Sequence, residues 1–337
     1  MDHAETSTMN NEAVEEPEDV LWSSLGSLYG YAPITHADAG DAFTYTWHVD
    51  SNTSVDCEKD ESLGGYTSDG SFSQQIKITV CTPDTHARNW SLHASNIWAS
   101  SLILADNIKK LGLDTHLSNR GCSYELDEPL EVLELGAGAG LPGLLITKYL
   151  ETLSPRRNER WRVTLSDYPD DLLINNLKEN VRRNELDPVT CRVMGYAWGE
   201  SINGLVRNPS NSPAGFDIII ASDTLWNAAL HRVFLISLSK LLRQTETARV
   251  HLVASLHTGR YTISSFLDLL NIQVGISGNS DNKRLKIERV MEYDISISAR
   301  GNTRSWMPDR GFEDDQERRR WIIWIELKWS NLWNNEN

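Results

Sequence analysis

The chain has 337 residues, 40% of them hydrophobic, and carries 32 Lys+Arg against 47 Asp+Glu for a formal net charge of -15. Fifteen of the acidic residues and a single base, Lys59, fall within residues 1–75, so the remainder balances at 32 acidic to 31 basic. A body so close to neutral excludes a nucleic-acid binder driven by phosphate neutralisation, and Cys57, Cys81, Cys122 and Cys191 have neither the spacing nor the neighbouring His of a structural zinc site, so no metal is expected.

No stretch approaches ~18 uninterrupted apolar residues, and residues 1–20 lack the basic-then-apolar order of a signal peptide. The expectation is a cytoplasmic monomer with no membrane or nucleic-acid partner. Residues 1–19 hold seven acidic side chains, no basic ones and no aromatics, and read as a disordered tail. Residues 20–90 read as an N-terminal extension. It contains a short helix over 20–29 and two strands, 42–49 and 74–81, joined by a polar, Gly-rich loop of 24 residues. Residues 91–337 form the main domain.

There, Leu92, Ile97, Trp98, Leu102, Ile108 and Leu111 recur at helical intervals and predict a helix over 91–111, with Ser91 as its N-cap. Strands follow at 130–135, 161–166, 190–194, 216–221 and 249–255, alternating with helices at 142–150, 171–183, 228–242 and 264–270. Such alternation predicts a parallel sheet covered by helices on both faces. The strand patterns 285–293 and 321–329 have no helix between them and predict an antiparallel pair, which leaves 294–320 as a long polar loop.

The most informative segment is 132–143, VLELGAGAGLPG, where an apolar strand runs straight into Gly136, Gly138, Gly140 and Gly143. Glycines at that turn allow a ligand to approach the backbone, and Pro142 suits the first turn of a helix, so a nucleotide-type cofactor loop is predicted. Asp167 ends the next strand, where a carboxylate can accept both hydroxyls of a ribose. It lies 31 residues beyond Gly136 instead of the ~20 usual for dinucleotide binders. Spacing alone leaves NAD and S-adenosylmethionine open.

The ordered strings LELGAGAGLPG, SDYPDDLLINNL, GYAWG and FDIIIASDTLW resemble the seven-strand S-adenosylmethionine-dependent methyltransferases, and within them the lysine-methyltransferase-like and fungal nicotinamide N-methyltransferase-like groups. The resemblance covers about residues 90–260. It implies an α/β, Rossmann-like sheet of seven strands ending in an antiparallel hairpin, here preceded by the helix and hairpin extension. It also implies S-adenosylmethionine as cofactor. Glu134, Gly136, Gly138 and Gly140 would then lie along its methionine and ribose part, and Asp167 would hold the ribose. Tyr168 and Trp198 would lie against adenine, Ala221 and Ser222 beneath the methyl donor, and Trp98 over the cofactor from the N-terminal helix.

Asp223, at the end of an apolar strand, is the candidate for orienting an acceptor nitrogen. The lysine enzymes usually carry Asp-x-x-Tyr here, whereas this chain has Asp223, Thr224, Leu225 and Trp226. An indole keeps an aromatic wall but removes the hydroxyl. This departure, with the loops at 50–73 and 294–320, favours N-methylation of a small-molecule natural product over a protein lysine. An oxidoreductase and a silent binding protein are the readings from other classes. Structural alternatives stand beside these roles: Trp98 and Trp198 as core aromatics, Asp171 as a first-turn acid and Asp223 as a helix cap. His257 follows the fifth strand near the same edge and is a weaker candidate for a base, beside the favoured reading of a solvated loop residue. His86 and His93 are given no role.

Overall fold

The computed structural model describes residues 35–49, 74–83, 94–119, 128–154, 160–206, 214–272, 284–296 and 301–330. The acidic tail, the helix expected over 20–29, the loop 50–73, Ser91, Cys57 and Cys122 lie outside them.

β1 (Thr35–His36) precedes β2 (Ala42–Val49) and β3 (Gln74–Cys81), and β2 and β3 pair antiparallel over their full length, as their β-branched and aromatic content predicts. β4 (Ile97–Trp98) pairs with β1. The helix expected over 91–111 is therefore shorter. It begins only at Ala99 as α1 (Ala99–Asp106), gives way to a 3-10 turn (Ile108–Leu111), and stops at Gly112 in the left-handed conformation. Trp98 caps α1 in extended backbone and is not part of the helix. The pairing with β1 draws 97–98 out of the helix.

After α2 (Leu113–Asn119), strands and helices alternate as expected: β5 (Leu130–Leu135), α3 (Leu141–Leu153), β6 (Trp161–Asp167), α4 (Asp171–Arg183) and β7 (Cys191–Gly195). The chain continues through β8 (Ile218–Ser222), α5 (His231–Leu241), β9 (Arg249–Ser255) and α6 (Arg260–Ile272). Asp170 caps α4, accepting from the N–H groups of Leu172 and Leu173, so Asp171 is a first-turn acid.

β10 (Leu285–Asp294) and β12 (Trp321–Trp329) form the expected antiparallel pair, but the segment between them is not simply a loop. β11 (Thr303–Ser305) pairs with β10, and α7 (Asp315–Arg319) follows. Charge orders this segment. Arg260, at the start of α6, bonds both Glu292 of β10 and Glu313, and Arg304 bonds the same two carboxylates. Glu292 is fully buried, so its paired guanidinium groups hold its carboxyl below the usual range against the cost of burial. A polar sequence shows no apolar period, so pattern reading missed both elements.

The sheet order is β11-β10-β12-β9-β8-β5-β6-β7, the seven expected strands plus a three-residue edge strand. β9, β8, β5, β6 and β7 are parallel, and β12 runs antiparallel between β9 and β10. Side chains alternate across it. Leu130 and Val132 face a core shared with the hairpin, α1, α3 and α4, whereas Leu133 and Leu135 face one shared with α5 and α6. Each fully buried aliphatic side chain contributes about 1.5–3 kcal/mol.

Candidate active site

All the turns that leave the carboxyl ends of the parallel strands open onto one cavity of about 630 Å³. In parallel α/β sheets this edge is where ligands bind, because helix starts and strand ends converge there without side-chain cover. Strand order sets the sequence of groups along it. Tyr196, Ala197 and Trp198 follow β7, Asp167 and Tyr168 end β6, Gly136 to Pro142 follow β5, Ser222 to Thr224 end β8, and His257 and Thr258 follow β9. Trp98 and Ser101 close it from the start of α1, and Trp226 borders it beyond β8.

The glycine turn is built for close approach. Gly136, Gly138 and Gly140 all have positive φ. A Cβ on Gly136 would stand 2.8 Å from the Thr224 methyl, whereas one on Gly138 would meet nothing closer than a carbonyl oxygen at 3.7 Å. Gly138 therefore leaves room on the cavity side.

Four N–H groups at this turn are already used. Ala137 donates to Ser166 O at 3.1 Å and Gly140 to Ala137 O at 2.7 Å. Gly143 donates to Glu134 Oε2 at 3.0 Å, and Gly138 to Asp167 Oδ2 at 2.7 Å. A pyrophosphate needs such donors free. Among the described residues the cavity lining contains Asp167 and Asp223 and no Lys or Arg, which disfavours an anionic ligand and suits a cationic one. Trp98, Tyr168, Tyr196, Trp198 and Trp226 add aromatic faces that attract cations.

Asp167 is half-buried, and burial pushes its carboxyl up to about 6 despite the N–H bonds from Gly138 and Tyr168. Each oxygen keeps a lone pair free for a hydroxyl. Trp198 lines the cavity and packs on Phe234 with ring centroids 4.5 Å apart. Tyr168 is exposed at the rim.

Two expected contacts are corrected. Glu134 and Ala221 are fully buried and do not line the cavity, because β5 and β8 are covered on both faces at those positions. Glu134 instead braces the start of α3 through Gly143. Burial raises its carboxyl to about 8, and the nearby Asp167 charge adds to the shift, so it is neutral at pH 7.

Asp223 sits at φ 49° and its carboxylate takes three donors: Ser255 N at 2.7 Å, Ser255 Oγ at 2.9 Å and Ser100 Oγ at 2.5 Å. It ties α1, β8 and β9 together and does not cap a helix. A carboxylate offers about four lone-pair directions, so one remains for a ligand. Ser100 and Ser101 both bond here, Ser100 to Asp223 and Ser101 to the Trp98 carbonyl. Their signal was two hydroxyls at the start of an otherwise apolar helix.

With this geometry, residues 86–272, more than half of the chain, match the family model described as lysine methyltransferase. The chain belongs to the lysine methyltransferase family. The part that matches runs from before β4 to the end of α6, and leaves outside it the β2–β3 hairpin and the ordered 301–320 segment. Similar curated proteins include the protein N-terminal and lysine N-methyltransferase EFM7 of Yarrowia lipolytica, 30% identical over 191 residues, 51% of this chain and 64% of the relative. That of Schizosaccharomyces pombe is 32% identical over 159 residues, 47% of this chain and 51% of the relative. The chain thus spans from about half to just under two thirds of the length of these relatives. Among solved structures, the magnesium protoporphyrin IX methyltransferase of Synechocystis PCC 6803 with bound SAH is similar at TM-score 0.39 and 11% identity, covering 67% of this chain and 82% of that one.

Among the described residues no group of three or more His, Cys, Asp or Glu is placed to hold a metal ion, and no helix is long and apolar enough to cross a membrane. His257, expected in solvent, is half-buried and lines the cavity, stacked on Trp98 with ring centroids 5.2 Å apart and planes 12° apart. Nothing in the sequence could show that stack, since its partners lie in different parts of the chain.

Proposed function

We propose that this chain transfers a methyl group from S-adenosylmethionine to an amine nitrogen of a protein, a lysine side chain or a chain N-terminus. The observation that carries the reading is the cavity itself, acidic and aromatic with no Lys or Arg among the described residues that line it, with four N–H groups at its glycine turn committed to protein acceptors. The bound cofactor would supply an electrophilic methyl on a positively charged sulfur. Asp167 would hold its ribose, Gly136 and Gly138 would let it lie against the turn, and Trp198 and Tyr168 would cover its adenine. On the other side of the turn, Asp223 and Trp226 would meet the acceptor, the carboxylate accepting from its N–H and the indole forming a wall. Excluding water and aligning the nitrogen are the main tasks left to the protein, because the leaving group is already activated.

The replacement of Tyr by Trp226 pointed toward a small natural product. The relatives, named for protein N-terminal and lysine methylation, favour the protein acceptor instead. The family match supports the same side. The test has two arms. Calorimetry should find S-adenosylhomocysteine binding and no NAD binding. Labelled S-adenosylmethionine should then mark peptides with a free α-amine or a lysine, and not the same peptides with both amines acetylated. Labelling of small amines alone, with every peptide silent, would restore the small-molecule reading, and NAD binding would overturn the cofactor.

A further inference from the structure

An amine that arrives as an ammonium cannot attack, since its lone pair holds a proton. For an α-amine the ordinary pKa is about 8 and for a lysine about 10.4, so near neutrality most of either acceptor must lose a proton inside the site. Among the residues that line the cavity, the side chains able to take a proton at that pH are few. Asp167 lies on the ribose side of the edge, and Asp223 already accepts from three donors, so its remaining lone pair orients the nitrogen. Among the described residues, His257 is the imidazole that lines the cavity, and imidazole is the side chain whose ordinary titration falls in this range.

Its position along the sheet edge is on the acceptor side. Ribose-binding Asp167 ends β6, the glycine turn follows β5, Asp223 ends β8 and His257 follows β9. With strands about 4.8 Å apart, His257 stands about 14 Å from Asp167 across the sheet, beyond the turn and on the flank of Asp223. The ring is held. It lies flat on Trp98, and the turn that carries it is fixed by Gly259 N–H to Leu256 O at 3.0 Å and by Arg318 Nε to the same carbonyl at 3.0 Å. Arg318 belongs to α7, so the ordered 301–320 segment holds this turn in place.

We propose that His257 is the proton acceptor for the incoming ammonium, positioned by its stack on Trp98; this rests on the protein-amine reading above. One N–H bond of the ammonium breaks, its proton passes to an imidazole nitrogen, and the amine keeps the electron pair. That pair forms the new N–C bond as the C–S pair leaves to sulfur, and the imidazolium later returns its proton to water. The charged groups on the elements packed against this turn are Asp223 at the end of β8, Arg318 and its partner Asp315 from α7, and Arg260 of α6 with Glu292 and Glu313, while Asp167 lies farther along the edge at the end of β6. The Asp223 carboxylate on the adjacent strand favours the imidazolium, and Arg318 and Arg260 are already paired.

The experiment compares the full chain with H257F, which keeps a flat ring on Trp98 but cannot take a proton, and H257Q, which loses both. S-adenosylhomocysteine affinity, by calorimetry, should stay within about threefold in H257F. Methylation of a peptide with a free α-amine should fall about 100-fold or more at pH 7, within the range for general base catalysis, and recover as pH rises past 9. H257F turning over within threefold of the parent from pH 6 to 8 would make His257 a wall and overturn the proposal. A readout without turnover accompanies it. With S-adenosylhomocysteine bound, the His257 ring protons, assigned by their loss in H257F, should titrate by NMR between pH 5 and 8, and added n-butylammonium should move the midpoint down. A ring that does not titrate, or one indifferent to the ammonium, sinks the proposal even if no peptide is ever methylated. Failure of S-adenosylhomocysteine to bind the parent would instead remove the underlying reading.

Discussion

Gly138 and Asp223 both have left-handed backbone, yet for opposite reasons. Gly138 leaves space, so G138R should abolish S-adenosylhomocysteine binding by filling the cavity, at a cost to folding of about 1–3 kcal/mol from the strained conformation. Calorimetry on the folded variant decides it, and unchanged affinity would move the cofactor elsewhere. Asp223 accepts that strain to bring three donors onto one carboxylate. In D223N the amide nitrogen can face the two serine hydroxyls, which reverse and accept, while the amide oxygen keeps the Ser255 N–H. Folding should therefore lose only about 1 kcal/mol. Turnover should fall far more than cofactor affinity. Equal loss of both, measured by kinetics beside calorimetry, would make Asp223 part of the cofactor site.

Asn176 and Asn180 on one face of α4 and Asn184 at its C-cap are spaced by four, which places them in a row. The amides of Asn180 and Asn184 accept from and donate to the backbone of Cys81 and Thr79 at 2.8–2.9 Å, continuing the edge of β3 with side chains. Asn180 also donates to Ala139 O at 2.9 Å, so it joins the hairpin to the glycine turn. N180A should cost about 1–3 kcal/mol, because the Cys81 N–H and the Ala139 carbonyl lose this partner while the Cys81 carbonyl still accepts from Asn176. Urea unfolding would show it, and a loss below about 0.5 kcal/mol would mean that the hairpin docks without this row. The sequence made the hairpin and every strand of the parallel sheet legible, because their apolar alternation and turn residues agree. It concealed the Asn row, whose polar residues on a helix look like a solvated face. It likewise concealed β11 and α7, which guanidinium and carboxylate pairs hold in place of apolar burial. The glycine turn and Asp167 could be read from their places in motifs, whereas Ser100, Ser255 and His257 meet the site only through tertiary packing.

At the scale of the whole molecule, burial of Glu134 ties stability to pH. Free in the unfolded chain it ionises near 4.5, but in the fold it stays protonated to about 8. Between those values the folded state holds the extra proton, so stability falls as pH rises across the window and levels off above it. E134Q removes the titration. The melting temperature of E134Q relative to the parent should rise steadily from pH 5 to 8 and then stay constant, and a difference independent of pH would show that the carboxyl is not held neutral. The placing of β12 between β9 and β10 bears on how the molecule comes into being. Strands β5 to β8 and the glycine turn between them are contiguous in the chain. β9 gains its outer neighbour only when Trp321–Trp329 has been synthesised. A growing chain can therefore assemble the cofactor half first, while the strand beside His257 waits with a bare edge, open to wrong pairing. Sites at which a ribosome-bound chain is cut by protease should move abruptly from 249–255 once the last strand has emerged.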